Sequence, residues 1–294
     1  MAAEKNNTGG GAATADRRWD LIIRPQAAWF DLHLADLWRY RDLVMMFVRR
    51  DFVAQFKQTI LGPAWFVLQP LLTTLVFTIV FGNIAQLSTD GIPKTLFYLS
   101  GNVVWMYFSS VLTTTSNTFI GNAQLFGKVY FPRLAVPLSI VISNALKFGL
   151  QFIFFLLFLL VFRMRGTPVH FTAYIALFPL LILIMAGQAL GLGILFSSMT
   201  TKYRDLRFLL EFGVRLLMYA TPVIFPLSSI PGKWRWVLLA NPMTPVIETF
   251  RLAFLGEGSF SWVHFGYAAL FAIVSVLIGA AVFNRVERTF MDTV

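Results

Sequence analysis

The sequence predicts an all-α membrane protein with six transmembrane helices, an N-terminal amphipathic interface helix, and outer re-entrant helices that dip back into the outer leaflet before the last span. Three observations carry this prediction. Of 294 residues, 57% are hydrophobic and 13% charged, where an ordinary soluble domain has roughly 45 to 50% and ~25%. The mean hydropathy is +0.69, and the apolar residues gather into runs long enough to cross a bilayer. The 24 Lys and Arg mostly punctuate the joints between those runs, as topology signals do. A disordered chain is excluded, and so is a soluble enzyme, because 24 basic and 14 acidic residues cannot cover a surface this apolar. The net charge of +10 does not point to nucleic acid, since the basic residues are not interleaved with stacking aromatics in a polar domain. Zero cysteines exclude disulfides, thiolate zinc sites, iron–sulfur clusters and cysteine nucleophiles.

Taken in order, residues 1–30 are expected to be a disordered cytoplasmic tail; the first 16 are largely Gly, Ala, Asn and Thr, without the apolar core of a signal peptide. In 34–58, Leu34, Leu37, Trp38, Met45, Val48, Phe52 and Phe56 recur at helical spacing, with Arg39, Asp42, Arg49, Arg50 and Lys57 largely between them. This predicts an amphipathic helix in the cytoplasmic interface; the bland alternative is a core helix of a soluble part. Six runs then qualify as spans, at about 62–86, 96–119, 135–162, 173–199, 208–226 and 263–284, so that 62–284 forms the transmembrane domain and 285–294 a short cytoplasmic tail. An even number of spans puts both termini on one side. That side carries 16 Lys and Arg outside the spans against 6 opposite, which places both termini in the cytoplasm, with Arg49, Arg50 and Lys57 carrying much of the decision.

Two joints stand out. Segment 120–134 is an amphipathic stretch bounded by Gly and Pro, long enough for a short helix across the span ends. Segment 227–262 is the one long outer joint, and its second half opens with Pro245, suited to a first helical turn, as in a hairpin dipping into the outer leaflet under cover of other protein. Gly187 and Gly191, with Gly193 following, predict a close helix approach in the fourth span, more naturally inside one subunit than between two.

Enzymatic signatures fail on spacing. Gly121 to Gly127-Lys128 resembles a phosphate loop, but five residues separate the glycines where four are required, and Val129 stands where a hydroxyl should hold magnesium. His33, His170 and His264 lie in three separate segments and assemble neither a metal site nor a relay. No cofactor or metal is therefore expected on this chain, and its energy source must come from a partner. Ionisable residues inside spans are functional candidates by default. Glu211 and Arg215, four apart in the fifth span, are expected to neutralise each other, either lining a polar path or fixing helix packing. Lys147 has no partner within a turn and must reach another helix, a cavity or the headgroups. Trp65, Trp105, Tyr107 and Tyr219 either stack on sugar rings in a channel or mark the interface belt and fill packed surface.

Together these residues resemble the membrane subunit of an ABC exporter of the type-2 permease class, in the branch that exports O-antigen, capsule and teichoic acid polysaccharides. The resemblance covers about 34–285. Its most specific stretch runs from Arg50-Asp51 through Lys57-Gln58-Thr59-Ile60-Leu61-Gly62-Pro63-Ala64-Trp65 to Gln69-Pro70. Lys128-Val129-Tyr130-Phe131-Pro132-Arg133 with Pro137, Tyr203-Arg204-Asp205, Thr221-Pro222-Val223 and Asn241-Pro242-Met243-Thr244 follow in the family's order. The resemblance implies a homodimer with two copies of a separate ABC ATPase, which binds ATP and magnesium, and a channel that moves a lipid-linked polysaccharide across the bacterial inner membrane. By matched position, Asn122, Gln124, Leu125, Phe126, Lys128, Phe131 and Arg133 would contact the ATPase, Trp38, Arg41, Arg49, Arg50 and Lys57 would flank the cytoplasmic entrance, and residues 236–255 would form outer gate helices. Two other readings compete. A type-2 permease for a small drug or lipid fits the spans but not the Lys57 to Trp65 stretch and the abundant aromatics. A membrane enzyme acting on a polyprenyl-linked substrate would need clustered acids or histidines at the membrane, and only Asp205 and Glu211 lie near each other.

Overall fold

The computed structural model describes residues 34–57, 59–128 and 131–290, and no strand occurs among the described residues. Helices α1 (Leu34–Arg39) and α2 (Arg41–Phe56) precede α3 (Trp65–Phe77), which opens on a 3-10 turn at Gly62–Ala64 and continues into a π-helical turn at Thr78–Ile84. Then come α4 (Lys94–Ser116), the short α5 (Thr118–Gly121) and α6 (Ala123–Phe126), and α7 (Ala135–Met164). A 3-10 turn at Ala173–Leu177 leads into α8 (Phe178–Thr200), followed by α9 (Leu206–Tyr219), α10 (Gly232–Ala240), α11 (Thr244–Leu255) and α12 (Trp262–Phe290). The expected tails at 1–30 and 291–294 lie outside the described residues, whereas 285–290, read from sequence as tail, continue α12.

Four segments are long and apolar enough to cross a membrane: Gly62–Ile84, Ala135–Met164, Ala173–Thr200 and Trp262–Val286. The other two expected spans differ from these for separate physical reasons. Helix α4 has 23 residues, about 35 Å at 1.5 Å per residue, which is length enough. Its sequence is diluted by Ser, Thr and Asn, and 16 of its 23 residues are buried against other helices, so protein rather than lipid surrounds most of it. Helix α9 has 14 residues, about 21 Å, short of the ~30 Å hydrocarbon core. The expected run 208–226 stops being helical at Tyr219 because Thr221-Pro222 follows; a proline disfavours helix at the residue before it and offers no N–H.

The N-terminal helix also departs from its sequence reading. It breaks at Tyr40 into α1 and α2. The buried seam of α2 is Val44, Phe47 and Val48, packed largely on α7, while Trp38, Met45, Met46 and Val53 are exposed. The apolar stripe read from the sequence is thus divided between an inward and an outward face.

Close packing centres on α8, which lies chiefly against α12 and α4. A Cβ on Gly191 would run into the backbone of Ser275 and Val276, one on Gly279 into the Gly191 carbonyl, and one on Gly193 into Thr115 at 2.6 Å. The expected close approach is therefore made within one chain. In α3, Pro70 removes the N–H that the Phe66 carbonyl would accept, and Gln151 Nε2 of α7 donates to that carbonyl at 3.1 Å instead. Asn102 Nδ2 of α4 donates to the Pro70 carbonyl, also at 3.1 Å. Two long amides thus tie α3 to its neighbours where its own ladder is weakened.

The joints sort into two ends. At one, Ser228 Oγ donates to Asp90 at 2.7 Å, and Thr172 Oγ1 donates to the Leu252 carbonyl at 2.9 Å, gathering the joints before α4 and α8 under the α10–α11 hairpin. Gly256 closes α11 at φ +81, where a Cβ would also press within 3.0 Å of the His170 carbonyl. At the other end, the Phe119 N–H donates to Ser197 Oγ at 3.2 Å and Thr200 Oγ1 to the Ser116 carbonyl at 3.2 Å. That end collects α2, α5, α6, the α8–α9 joint and the close of α12.

Candidate functional site

The end formed by α2, α5 and α6 is built on a chain of five phenylalanines. Phe119 stacks on Phe283 at 4.4 Å between ring centroids and meets Phe126 edge-on at 5.9 Å. Phe126 lies 5.8 Å from Phe131, and Phe131 lies 5.6 Å from Phe47. The Arg133 guanidinium caps Phe126 at 5.5 Å, and that of Arg50 covers Phe47 at 4.8 Å. Asn122 sets the corner between α5 and α6, its side-chain amide donating to the Thr118 carbonyl at 3.0 Å.

This geometry divides the expected ATPase-contact residues. Gln124 and Lys128 are exposed, together with Ile120, Gly121 and Gly127, and Asn122 and Leu125 are half-buried. Phe126, Phe131 and Arg133 are 1%, 5% and 8% exposed and hold the segment down on the chain's own helix ends. Apolar residues in an amphipathic joint have two available partners, another subunit or the chain's own helix ends, and the sequence does not distinguish them. Arg41, Arg49, Arg50 and Lys57 are exposed along and just past α2, as is Trp38 on α1; Arg50 pairs with Asp51 at 2.8 Å.

The candidate channel residues do not come together. Trp105 and Tyr107 are buried, packed on Phe108 at 5.3 Å and Phe148 at 5.3 Å, and belong to the chain's own core. Trp65 and Tyr219 are exposed on α3 and α9. Lys147 does have a partner within a turn, contrary to expectation: its Nζ donates to Asn144 Oδ1 at 3.2 Å and lies 5.6 Å from the Phe66 ring. The expected Glu211–Arg215 pair is also absent. Glu211 accepts from Arg207 Nε at 3.1 Å, one turn earlier, and Arg215 is exposed with no ion-pair partner among the described residues. Both arginines stand four residues from Glu211; side-chain direction, which spacing does not report, decided between them.

The hairpin end holds a buried ionic group that the sequence reading missed. Arg251 on α11 is 1% exposed and Glu248, one turn earlier, 3% exposed. Arg251 Nε donates to Ser100 Oγ at 3.3 Å and Nη2 to the Val223 carbonyl at 3.0 Å, and the guanidinium lies 3.7 Å from the Phe97 ring centroid. Glu248 Oε2 accepts from the N–H and hydroxyl of Ser259, at 3.0 and 3.1 Å. Glu248 Oε1 stands 3.7 Å from Arg251 Nη1, and neither atom makes a hydrogen bond. Gly101 makes room for the guanidinium, since a Cβ there would sit 2.8 Å from Nη2. Two opposite charges three residues apart in an otherwise apolar run was the available signal. Beside them, Asn241 Nδ2 donates to Thr221 Oγ1 at 2.7 Å, joining two motifs that are separate in sequence.

Comparison with known proteins places this architecture. The O-antigen export system permease protein RfbA of Klebsiella pneumoniae is 27% identical over 252 residues, covering 85% of this chain and 94% of that protein. RfbA of Myxococcus xanthus is 28% identical over 221 residues, covering 74% and 82%. The polysialic acid transport protein KpsM of Escherichia coli is 26% identical over 248 residues, covering 83% and 93%. The ABC-2 type transporter family matches residues 42–255, from the first turn of α2 to the last residue of α11, and the chain belongs to that family.

Proposed function

We propose that the chain is the transmembrane permease subunit of an ABC transporter that exports a lipid-linked polysaccharide, an O-antigen or similar surface glycan, across the bacterial inner membrane. The observation that carries this is the match of 85% and 83% of the chain to permeases named for O-antigen export and polysialic acid transport. A permease for a small lipid or drug ranks behind it on the same ground. The working complex is two copies of this chain with two copies of an ABC ATPase, which binds ATP and magnesium. In that complex Gln124 and Lys128 present the contact surface, on a segment anchored by Phe126 and Phe131. The exposed Arg41, Arg49 and Lys57 face lipid headgroups or the entering substrate.

Six crossings are part of this reading, with α4 and the α9 segment as the second and fifth and α10–α11 as a re-entrant hairpin. The sorting of joints into two ends supports it, because six crossings alternate the joints in that way. With both termini cytoplasmic, the phenylalanine chain is at the cytoplasmic end and the Glu248–Arg251 pair at the outer end. Deletion of the gene tests the function. The surface glycan should disappear and its lipid-linked polymer accumulate inside, with both restored by the wild-type gene. Unchanged surface glycan in the deletion strain would refute the reading.

A further inference from the structure

Helix α10 is weakly packed: of its nine residues only Leu238 is buried. Between it and the bundle lies a cleft of about 360 Å³, walled by Val237 of α10, Leu217 near the end of α9, Phe108 of α4, Leu192 of α8 and Phe271 of α12. The polar atoms of these walls are already committed. Asn241, the one polar side chain lining the cleft, donates from Nδ2 to Thr221 Oγ1 at 2.7 Å and to the Ala220 carbonyl at 3.3 Å, and its Oδ1 accepts from the Met243 N–H at 3.0 Å. The Ala240 carbonyl accepts from the Tyr267 hydroxyl at 2.7 Å, and the Pro242 carbonyl from Gln188 Nε2 at 3.3 Å. A water molecule needs roughly two to four polar partners to stay in a cavity, and these walls offer it none. Left empty, the walls lose packing contacts on one side. The occupant that fits is therefore apolar.

Depth and size say what that occupant is. Phe108 and Leu192 lie about 21 Å along α4 and α8 from the ends that start under the hairpin, inside the ~30 Å of hydrocarbon. Trp234 and Trp236 are exposed on α10, within about 9 Å of Ala240 at its end, and tryptophans so placed mark the depth of lipid headgroups. Lys233 and Arg235, exposed beside them, put two cations where phosphates lie. Val237 lines the cleft and is still 60% exposed, so the cleft is open beside α10. At about 30 Å³ per water-sized group its volume takes about twelve such groups, the size of much of an acyl chain. We propose that this cleft binds one acyl chain of an outer-leaflet phospholipid, whose phosphate lies near Lys233 and Arg235 and whose chain runs past Val237 to Phe108 and Leu192. Phospholipid is the solvent at the mouth of the cleft, in large excess over any lipid carrier of a glycan. Its chain supplies the packing that α10 lacks from its own protein and seats the hairpin arm on the bundle. The inference rests on the six-crossing arrangement proposed above and not on which polymer the complex exports.

The test uses the full chain reconstituted with a phospholipid that carries a diazirine at the end of one acyl chain, then exchanged into lipid-free detergent. Native mass spectrometry should find a single phospholipid retained by each chain. Illumination should attach it to Leu217, Val237 or Phe271 and not to Leu277 and Ile278, which are exposed on α12. Ala220→Leu with Ala240→Leu fills the cleft and should retain at least tenfold less, with a thermal midpoint in lipid-free detergent at or above that of wild type because the void is gone. Val237→Glu is the second arm; the residue is exposed, so the fold does not depend on it, and the carboxylate should also cut retention at least tenfold. Wild-type retention by either variant, or attachment mainly to Leu277 and Ile278, overturns the proposal. An equimolar polyprenyl phosphate should leave the phospholipid in place, and displacement by it overturns phospholipid as the occupant. Because the chain has no cysteine, Lys233→Cys reports the topology separately and should react with a membrane-impermeant maleimide from the outer face of spheroplasts. Reaction only from the cytoplasmic face refutes the six crossings, and with them the outer leaflet as the source.

Discussion

Phe126 decides between two descriptions of the α5–α6 segment, as a contact surface or as an anchored platform. Its side chain is 1% exposed and meets Phe119 at 5.9 Å, Phe131 at 5.8 Å and the Arg133 guanidinium at 5.5 Å. The cluster lies at an end of the helix bundle, where the alternative to burial is water, so the hydrophobic effect operates at full strength. Phe126→Ala removes a buried ring and leaves a cavity under a segment too short to collapse into it, which costs about 3 to 5 kcal/mol. Thermal and denaturant unfolding of the purified full chain should show that loss. Gln124→Asp combined with Lys128→Glu changes only exposed side chains and should stay within about 0.5 kcal/mol of wild type. That double variant should instead fail to recover the ATPase in co-purification. Wild-type stability of Phe126→Ala, or unfolding caused by the surface variant, would refute the reasoning.

Three further outcomes follow from the buried contacts. Gln151→Leu removes the donor to the Phe66 carbonyl and should destabilise the chain by about 1 to 3 kcal/mol, with Pro70→Ala restoring most of it by returning a backbone N–H; a double-mutant cycle in thermal unfolding checks this. Arg251→Ala strips the partner from a buried carboxylate and should cost about 3 to 5 kcal/mol, whereas adding Glu248→Gln should recover part of the loss, since the group left behind is then neutral. The Arg207–Glu211 pair is 50% and 39% exposed, so its coupling in a double-mutant cycle should not exceed about 1 kcal/mol, and Glu211 with Arg215 should be additive.

The sequence made legible what depends on length, composition and small local rules. The all-helical membrane class, the close approach of Gly191, and the start of α11 at Thr244 with Pro245 in its first turn all follow from such rules. What depends on which side of a helix meets which neighbour was not legible. Glu211 had two arginines at equal spacing, and Phe126 and Phe131 had two surfaces they could cover. Helix α4 was read as an ordinary span, although four of its eight serine and threonine hydroxyls return to the helix's own carbonyls, as Ser100 does to Phe97 at 2.7 Å and Thr113 to Ser109 at 2.7 Å, which lets them tolerate the interior. The Glu248–Arg251 pair was visible as charge in an apolar run, but its importance arises from α4 and the Val223 loop, which sequence distance hides.

Helix α4 connects the two ends physically. Its first turns carry Phe97, Ser100 and Gly101, which receive the Arg251 guanidinium of the hairpin. Its last turn carries Thr115 and Ser116, which lie against Gly193 and Thr200 of α8, and α5 follows after one residue. Between these points α4 packs on α3, α7, α8 and α9 and is buried along most of its length. A helix so enclosed moves as a rod, because close-packed interiors transmit displacement rather than absorb it. From Ser116 to Ser100 it spans about 24 Å, from the α5–α6 platform to the guanidinium that pins the hairpin. The phenylalanine chain adds α2 and α12 to the same platform through Phe47 and Phe283. The segment that presents Gln124 and Lys128 is thus mechanically continuous with the opposite end of the molecule.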